Sequence, residues 1–279
     1  MGNIKTFFLM LVLALIFMFC GNLIAGRGGM IAAFWMAVVM NFFSYFFSDK
    51  MVLNHYQATP VKSGRLFDMV KNLAMKAGLP MPKVYTIPEN VPNAFATGRN
   101  PTHAAVAVTQ GLLDLMNDDE IEGVLAHELS HIKHYDILTS SIAMVFAGAI
   151  SMLANMARYQ NPSRMRAKKQ GAGGISLLLA MVLMPLAAGV VRLAVSRTRE
   201  FEADAGSARI TGEPQKLISA LKKLDSYAKT SIMKRATNQT AHMFIINPLT
   251  GLKADFSSLF STHPSTADRI SRLSQMIRN

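Results

Sequence analysis

Two apolar runs lie close together at the start of the chain. The run from Thr6 to Ala25 contains no charged residue, and a second run, from Ile31 to Phe47, begins after five intervening residues. A helix needs about twenty apolar residues to cross roughly 30 Å of hydrocarbon. A cleavable signal peptide is the alternative for the first run, but its apolar core is usually shorter and is not followed at once by another. The pattern therefore predicts a transmembrane hairpin over residues 1–48.

Two further charge-free blocks extend from Ile137 to Ala157 and from Gly173 to Val191. Polar residues dilute the first block and Pro185 interrupts the second, although membrane helices tolerate proline where neighbouring groups satisfy the backbone. We expect a second apolar helical hairpin over residues 137–195, either in the membrane or packed against the protein. The loop 158–174 carries five Lys and Arg residues, which favour the cytoplasmic side, so we expect a hairpin that dips into the bilayer and returns.

The stretch between the two hairpins, residues 49–136, has the ordinary polarity of a folded domain. An amphipathic helix is predicted over Arg65–Ala77. Short β-branched runs predict strands at Lys83–Ile87 and Ala104–Thr109, with a further strand at Asn93–Thr97 between them.

The remaining stretch, residues 196–279, has helical spacing broken at short Gly and Pro signals. The expected fold class is mainly α with a small β-sheet. The catalytic domain is expected in two parts, 49–136 and 196–279, separated by the second hairpin at 137–195.

Composition supports a membrane protein. Of the 279 residues, 51% are hydrophobic and 16% are charged, whereas a soluble domain carries roughly 25% charged residues. The single cysteine, Cys20, cannot form an intramolecular disulfide, which excludes a disulfide-stapled secreted domain. Beside membrane segments, a net charge of +12 fits an anionic lipid leaflet. The expected partner of this charge is the lipid bilayer, and no nucleic acid is expected.

The segment His127-Glu128-Leu129-Ser130-His131 is an HExxH motif, in a helix that is predicted to open at Asn117. Histidines four residues apart lie on one helix face, so both imidazoles can reach one zinc ion at about 2.1 Å. Glu128 is placed to take a proton from the water that the metal activates. The alternative is a polar helix face on which the pair is accidental.

A catalytic zinc site needs a third protein ligand. The residues after His131 lack the glycine and histidine of the extended HExxHxxGxxH pattern, so a glutamate from a later helix is the remaining option. Glu200 and Asp204 share one helix face, whereas Glu202 points about 200° away from Glu200. We predict Glu200 as the third ligand and Asp204 as the acceptor for the outer N–H of a ligating histidine. An ordinary charged helix is the alternative.

The order of HELSH, an apolar hairpin and SRTREFEADAGSA resembles the HtpX-type membrane zinc metalloproteases, which are relatives of the CAAX prenyl proteases. The segments VPNAFATG at 91–98 and STHPST at 261–266 also match the family pattern. The resemblance implies a zincin-like, multi-pass protease of the bacterial inner membrane, with one Zn²⁺ per chain and an active site facing the cytoplasm. Its implied partners are protein substrates, above all damaged or misassembled membrane proteins, and it often acts under stress.

Two further assignments concern the substrate. His263 is a candidate donor to the oxyanion of the tetrahedral intermediate, although His263-Pro264 could simply start the last helix with proline at its first position. The segment Asn93, Ala94 and Phe95 offers a strand edge on which an extended substrate could pair through its main chain.

Two other classes of protein compete with a protease. A transporter or channel would ordinarily place ionisable residues within its apolar helices, and the charge-free runs contain none. A zinc-binding membrane sensor or scaffold without proteolytic activity is the stronger rival. A structural zinc site, however, is closed by four protein ligands and has no use for Glu128 beside the metal.

Overall fold

The computed structural model describes residues 2–143, 197–230 and 264–277 of the chain. Within these ranges the protein is mostly helical with one small sheet, in agreement with the expected fold class. The elements are α1 (Gly2–His55), β1 (Thr59–Val61), α2 (Arg65–Ala77), β2 (Lys83–Ile87), β3 (Ala94–Gly98), a 3₁₀ turn (Pro101–His103), β4 (Ala104–Thr109), α3 (Gln110–Leu115), α4 (Asp118–Lys133), α5 (Arg197–Thr211), α6 (Pro214–Thr230) and α7 (Thr266–Gln275). Residues 136–143 are also helical.

The helix α1 reverses direction at Ala25 and Gly26. Both residues leave the helical region, and the φ of +57° at Gly26 is one that glycine adopts without strain. The two arms lie side by side, since Gly21 packs against Gly29 and the Asn41 side chain donates a 3.3 Å hydrogen bond to the Met10 carbonyl. The first apolar pair is therefore a helical hairpin whose connection is shorter than the five residues expected.

The second arm of this hairpin is long and apolar enough to cross a bilayer. It extends over Ala25–His55 and contains an 18-residue stretch with a mean hydropathy of 1.8, while the apolar part of the first arm, Thr6–Phe19, is shorter. Among the described residues, the exposed large hydrophobic side chains are concentrated between Phe7 and Met51. An apolar surface of this extent needs a nonaqueous neighbour.

The sheet has the strand order β1-β2-β4-β3, and only the central pair, β2 with β4, is parallel. The strand β3 lies at one edge and begins at Ala94, one residue later than the sequence predicts. Asn93 instead hydrogen-bonds to Thr109: the Thr109 Oγ1 accepts a 2.8 Å bond from the Asn93 N–H, and the Thr109 N–H donates a 2.9 Å bond to the Asn93 carbonyl. The three-residue strand β1, with a proline at its centre, was not predicted because it is too short to show a pattern.

The helix α4 is the centre of the core. Its apolar face, which includes Leu125 and Leu129, packs with Val106 of β4 and Leu221 of α6, and none of the four is more than 1% exposed. The helix opens at Asn117 as predicted, and it does so with a capping box: Asn117 Oδ1 accepts a hydrogen bond from the Glu120 N–H and Glu120 Oε2 accepts one from the Asn117 N–H, both at 3.0 Å. This cap fixes the start of the helix that carries the HExxH motif.

Small residues let α4 and α5 approach closely. Gly206 of α5 lies against the Ser130 side chain, where an added Cβ would be 2.7 Å from Ser130 Cβ. Next to it, the Ser207 hydroxyl donates a 2.7 Å hydrogen bond to the Gly123 carbonyl. The contact brings the first turn of α5 beside the two histidines of α4.

We predict that Gly206→Ala lowers the stability of the fold, because a methyl group in this contact forces the two helices apart. Overpacking of this kind typically costs about 1–3 kcal/mol. Thermal unfolding of the purified chain in detergent measures the loss.

The matched control is the same change combined with Ser130→Gly, which removes the Cβ that the new methyl group would strike. Ser130→Gly alone should cost about 1 kcal/mol as a glycine within a helix. We expect Gly206→Ala to lower the melting temperature less in that background than in the wild type. Equal losses in both backgrounds would show that this contact does not set the helix spacing.

Candidate metal centre

Three side chains from α4 and α5 converge at one point. The Nε2 atoms of His127 and His131 lie 3.3 Å apart. Glu200 places Oε2 3.7 Å from Nε2 of His127 and Oε1 3.5 Å from Nε2 of His131. The three form a cluster whose possible ligand atoms all lie within 4.8 Å of one another.

These distances are compatible with a metal site. Ligands about 2.1 Å from a central zinc ion lie about 3.4 Å from one another, close to the 3.3 Å between the two imidazole nitrogens and to the 3.5 and 3.7 Å that join each histidine to a different oxygen of Glu200. Two imidazoles and one carboxylate also form a donor set that catalytic zinc uses, with its fourth position left for water or substrate. The cluster is therefore compatible with a metal site on distance and on donor chemistry.

The outer nitrogen of His127 is held by α5 and α7. Asp204 places Oδ1 3.0 Å from Nδ1 of His127. Arg269 in turn binds Asp204 through two hydrogen bonds, from Nε at 2.9 Å and from Nη2 at 2.6 Å. Burial alone would raise the pKa of Asp204, but the charge and hydrogen bonds of Arg269, together with His127, lower it to about 2. Asp204 is thus an ionised acceptor for the His127 N–H, which leaves the Nε2 lone pair for a metal.

The outer nitrogen of His131 has a similar arrangement. Asp136 places Oδ2 3.3 Å from Nδ1 of His131, and its other oxygen accepts a 3.1 Å hydrogen bond from Nη1 of Arg199. Burial opposes a charge on His131, but Asp136, Glu200 and Glu128 outweigh it and raise the pKa of His131 to about 9. This position therefore strongly favours a positive charge, which a divalent cation at Nε2 supplies in place of the proton.

Glu128 lies beside the cluster and is held by the sheet. Its Oε2 accepts a 2.9 Å hydrogen bond from the Ala96 N–H of β3. Burial raises the pKa of Glu128, although the two histidines act in the opposite direction. A buried carboxylate with a raised pKa is suited to accept and return a proton.

The charges around the cluster also favour a divalent cation. The buried carboxylates of Glu128, Asp136, Glu200 and Asp204 face the two buried guanidinium groups of Arg199 and Arg269. When all of these groups are ionised, four negative charges minus two positive charges leave a surplus of two. Uncompensated charge in a buried site is costly, and one ion of charge +2 removes the surplus.

The three residues expected to bind substrate are all buried: Asn93, which immediately precedes β3, is 3% exposed, and Ala94 and Phe95, within the strand, are 1% and 4% exposed. The Ala96 N–H points away from β4, toward Glu128. Backbone directions alternate along a strand, so the N–H and C=O of Ala94 also point away from β4. Asn93 is instead paired with Thr109, and Phe95 is paired with β4.

His263 lies outside the described residues. The helix that follows it begins at Thr266, with Ser265 as the N-cap whose hydroxyl accepts a 3.1 Å hydrogen bond from the Asp268 N–H. Pro264 is therefore not at the first helical position, and the alternative in which His263-Pro264 starts this helix is wrong. The serine side chain can satisfy a free N–H of the first turn, which proline and histidine at those positions do not do.

Sequence reasoning missed Asp136, Arg199 and Arg269. Asp136 follows His131 by five residues, but the helix ends at Lys133. Helical periodicity therefore does not predict where the Asp136 side chain lies relative to His131. Arg269 is 142 positions from His127 in the chain. In the sequence, both arginines occur in segments with helical spacing, within or beside the recognised motifs. That position does not predict that their side chains are buried.

Comparison with known proteins agrees with this geometry. Residues 60–277 match the pattern of peptidase family M48. A protein named "Protease HtpX homolog" from Campylobacter hominis is 57% identical over 279 residues, covering 99% of each chain. Another of that name, from Campylobacter curvus, is 56% identical and covers 98% of this chain and 96% of its own.

A crystal structure of S. mikatae Ste24p is also similar, with a TM-score of 0.49 and 21% identity. The match covers 86% of this chain and 57% of the Ste24p chain, a similarity too low to carry over function. The family pattern, by contrast, spans most of this chain, and the bacterial relatives align with this chain almost from end to end. The chain therefore belongs to peptidase family M48, as one of its HtpX-type members.

Proposed function

We propose that the chain is a membrane-bound, zinc-dependent endopeptidase. The observation that carries the proposal is the convergence of His127, His131 and Glu200 beside the buried carboxylate of Glu128. Three protein ligands, an open fourth position and an adjacent general base are the parts of a catalytic zinc site. A structural zinc site needs no such base, so this arrangement favours a protease over a zinc-binding sensor or scaffold.

In the proposed mechanism, His127, His131 and Glu200 would hold one Zn²⁺ per chain. When bound, the ion would act as a Lewis acid toward a water molecule and a peptide carbonyl. Glu128 accepts the proton of the attacking water and returns it to the nitrogen of the leaving amine. The Ala96 N–H holds Oε2 of Glu128 during both transfers and leaves Oε1 to carry the proton.

The substrate is proposed to lie along β3 as an extended strand. The N–H and C=O of Ala94 and the C=O of Ala96 are the backbone groups that point away from β4, so they are the partners for a substrate main chain. Asn93 and Phe95 act in this proposal by fixing the register of the strand. Main-chain pairing depends little on side-chain sequence, which suits an enzyme that cleaves damaged or misassembled proteins. His263 stays a proposed donor to the oxyanion.

The N-terminal hairpin, residues 1–48, is proposed to anchor the chain in a lipid bilayer. Its support is the long apolar arm Ala25–His55 and the exposed apolar side chains of both arms. We place the protein in the bacterial inner membrane with its site toward the cytoplasm, and infer that membrane proteins are among its substrates. The HtpX resemblance implies this orientation, and the net charge of +12 fits an anionic lipid leaflet.

The contact between Asp136 and Arg199 bears on the topology of the second hairpin. These residues flank the apolar segment 137–195 and lie 3.1 Å apart. The chain therefore leaves and re-enters the catalytic domain, proposed as 49–136 with 196–279, at one place. A hairpin that enters the bilayer and returns satisfies this constraint.

We predict that Glu128→Gln abolishes proteolysis and leaves the zinc content near that of the wild type. The carboxylate acts on water and does not bind the metal, so the loss should be at least about a hundredfold. Cleavage of casein in detergent, with zinc measured by mass spectrometry on the same samples, tests both parts.

Glu202→Gln is the matched control for this change, because Glu202 is an exposed glutamate on α5. It should retain both zinc and activity. If the Glu128 variant keeps activity within about tenfold of the wild type, the proposed mechanism is wrong. If the wild type and the Glu202 variant both bind zinc but cleave no substrate, a zinc-binding sensor or scaffold explains the site better than a protease.

We also expect Glu200→Ala to lose zinc and Glu202→Ala to keep it. Glu200 lies within 3.7 Å of both histidine nitrogens, whereas Glu202 faces solvent two positions further along the helix. Zinc analysis after dialysis measures the difference. The opposite order of zinc loss would contradict the assignment of the third ligand.

A cysteine introduced at Ser163, with Cys20 replaced, should resist an impermeant thiol reagent applied outside intact cells. Residue 163 is outside the described residues, but its basic loop should stay near the cytoplasmic headgroups if the second hairpin dips into the bilayer. Labelling after cell lysis shows that the thiol is reactive. Efficient labelling from outside would indicate that the second hairpin spans the membrane fully.

A further inference from the structure

The two histidines of the proposed zinc site are each supported by an aspartate that an arginine holds. For His127 the pair is Asp204 of α5 with Arg269 of α7, both of which follow the apolar segment 137–195 in the chain. For His131 the pair is Asp136 with Arg199. Neither Asp136 nor Arg199 was predicted from the sequence, and this second pair differs from the first in its position in the chain.

Asp136 and Arg199 lie at the two ends of the apolar segment 137–195. They are 63 positions apart in the chain, yet Nη1 of Arg199 donates a 3.1 Å hydrogen bond to Oδ1 of Asp136. Both are buried, at 7% and 9% exposure. A buried ion pair loses most of its solvation, so it persists only where geometry and further hydrogen bonds compensate. The second carboxylate oxygen provides such a contact, with Nδ1 of His131.

Asp136 also begins the helical segment 136–143, which packs against the N-terminal hairpin. Leu138 and Ile142 contact Leu9 and Leu13 of α1, and the hydroxyls of Thr139 and Thr6 are 2.8 Å apart. The residue that supports His131 is thus also the first residue of the segment that contacts the hairpin. A shift at this point would move the His131 ring directly.

We propose that Asp136 and Arg199 are a positioning pair, which orients His131 for zinc and fastens both ends of the segment 137–195 to the metal centre. The inference rests on the proposed zinc function. A carboxylate at Nδ1 fixes the tautomer and ring orientation of a metal-binding histidine and makes it a stronger ligand. Arg199 keeps that carboxylate in place and balances its charge.

The test measures zinc affinity by chelator competition on the full chain in detergent. All variants carry Glu128→Gln, so that proteolysis cannot interfere. In this background, Asp136→Asn and Arg199→Gln should each raise the zinc Kd by about ten- to a hundredfold, the usual effect of losing such a partner. The matched controls are Glu202→Gln and Arg197→Gln, which change exposed residues of the same helix and should leave Kd within about twofold of the background.

The double variant D136N/R199Q separates positioning from folding. Asp136→Asn alone leaves a buried guanidinium without its charge partner and should lower the melting temperature in the presence of a chelator. The double variant has no such charge, so its melting temperature should recover toward the background. Its zinc Kd should nevertheless stay raised by about tenfold or more, because an amide supports the histidine less strongly than a carboxylate.

A double variant with the background Kd would overturn the inference while leaving the proposed zinc function intact. A double variant that fails to fold would also overturn it, by assigning the pair a structural role alone. If the Glu128→Gln background itself binds no zinc, the proposed function fails and the inference fails with it.

Discussion

The rest of the structure depends on holding three electron-rich donors together in a buried space. His127 and His131 come from one helix, and Glu200 comes from a helix that begins more than sixty residues later, yet their ligand atoms lie within 4.8 Å of one another. Such a group is unfavourable without a positive charge at its centre. Gly206 makes it sterically possible, because it lets α5 approach Ser130 of α4 closely enough for Glu200 to reach the histidines.

Different parts of the fold hold the individual side chains of the site. Asp204 and Arg269, from α5 and α7, hold one histidine, and Asp136 with Arg199 holds the other. The sheet contributes through the Ala96 N–H, which fixes the carboxylate of Glu128. Each contact joins elements that are distant in the chain, so the site forms only when the helices and the sheet have packed together. Metal binding and the stability of this part of the fold are therefore coupled.

The local features of the site could be predicted from the sequence, and its long-range contacts could not. Helical periodicity alone places His127 and His131 on one face, and the same rule separates Glu200 from Glu202. The capping box at Asn117 was equally readable because its partners are three residues apart. Arg199 and Arg269 look like solvated charges in the sequence, since burial and choice of partner depend on packing between segments. The strand at Ala94 was displaced by one residue for a similar reason, the contact of Asn93 with the distant Thr109.

The most direct test of the account is the zinc content of the purified chain, measured together with casein cleavage before and after chelation. We expect one zinc per chain, loss of cleavage when the metal is removed, and recovery when zinc is returned. A chain that contains no zinc, or one that cleaves casein equally well after complete removal of the metal, would contradict it.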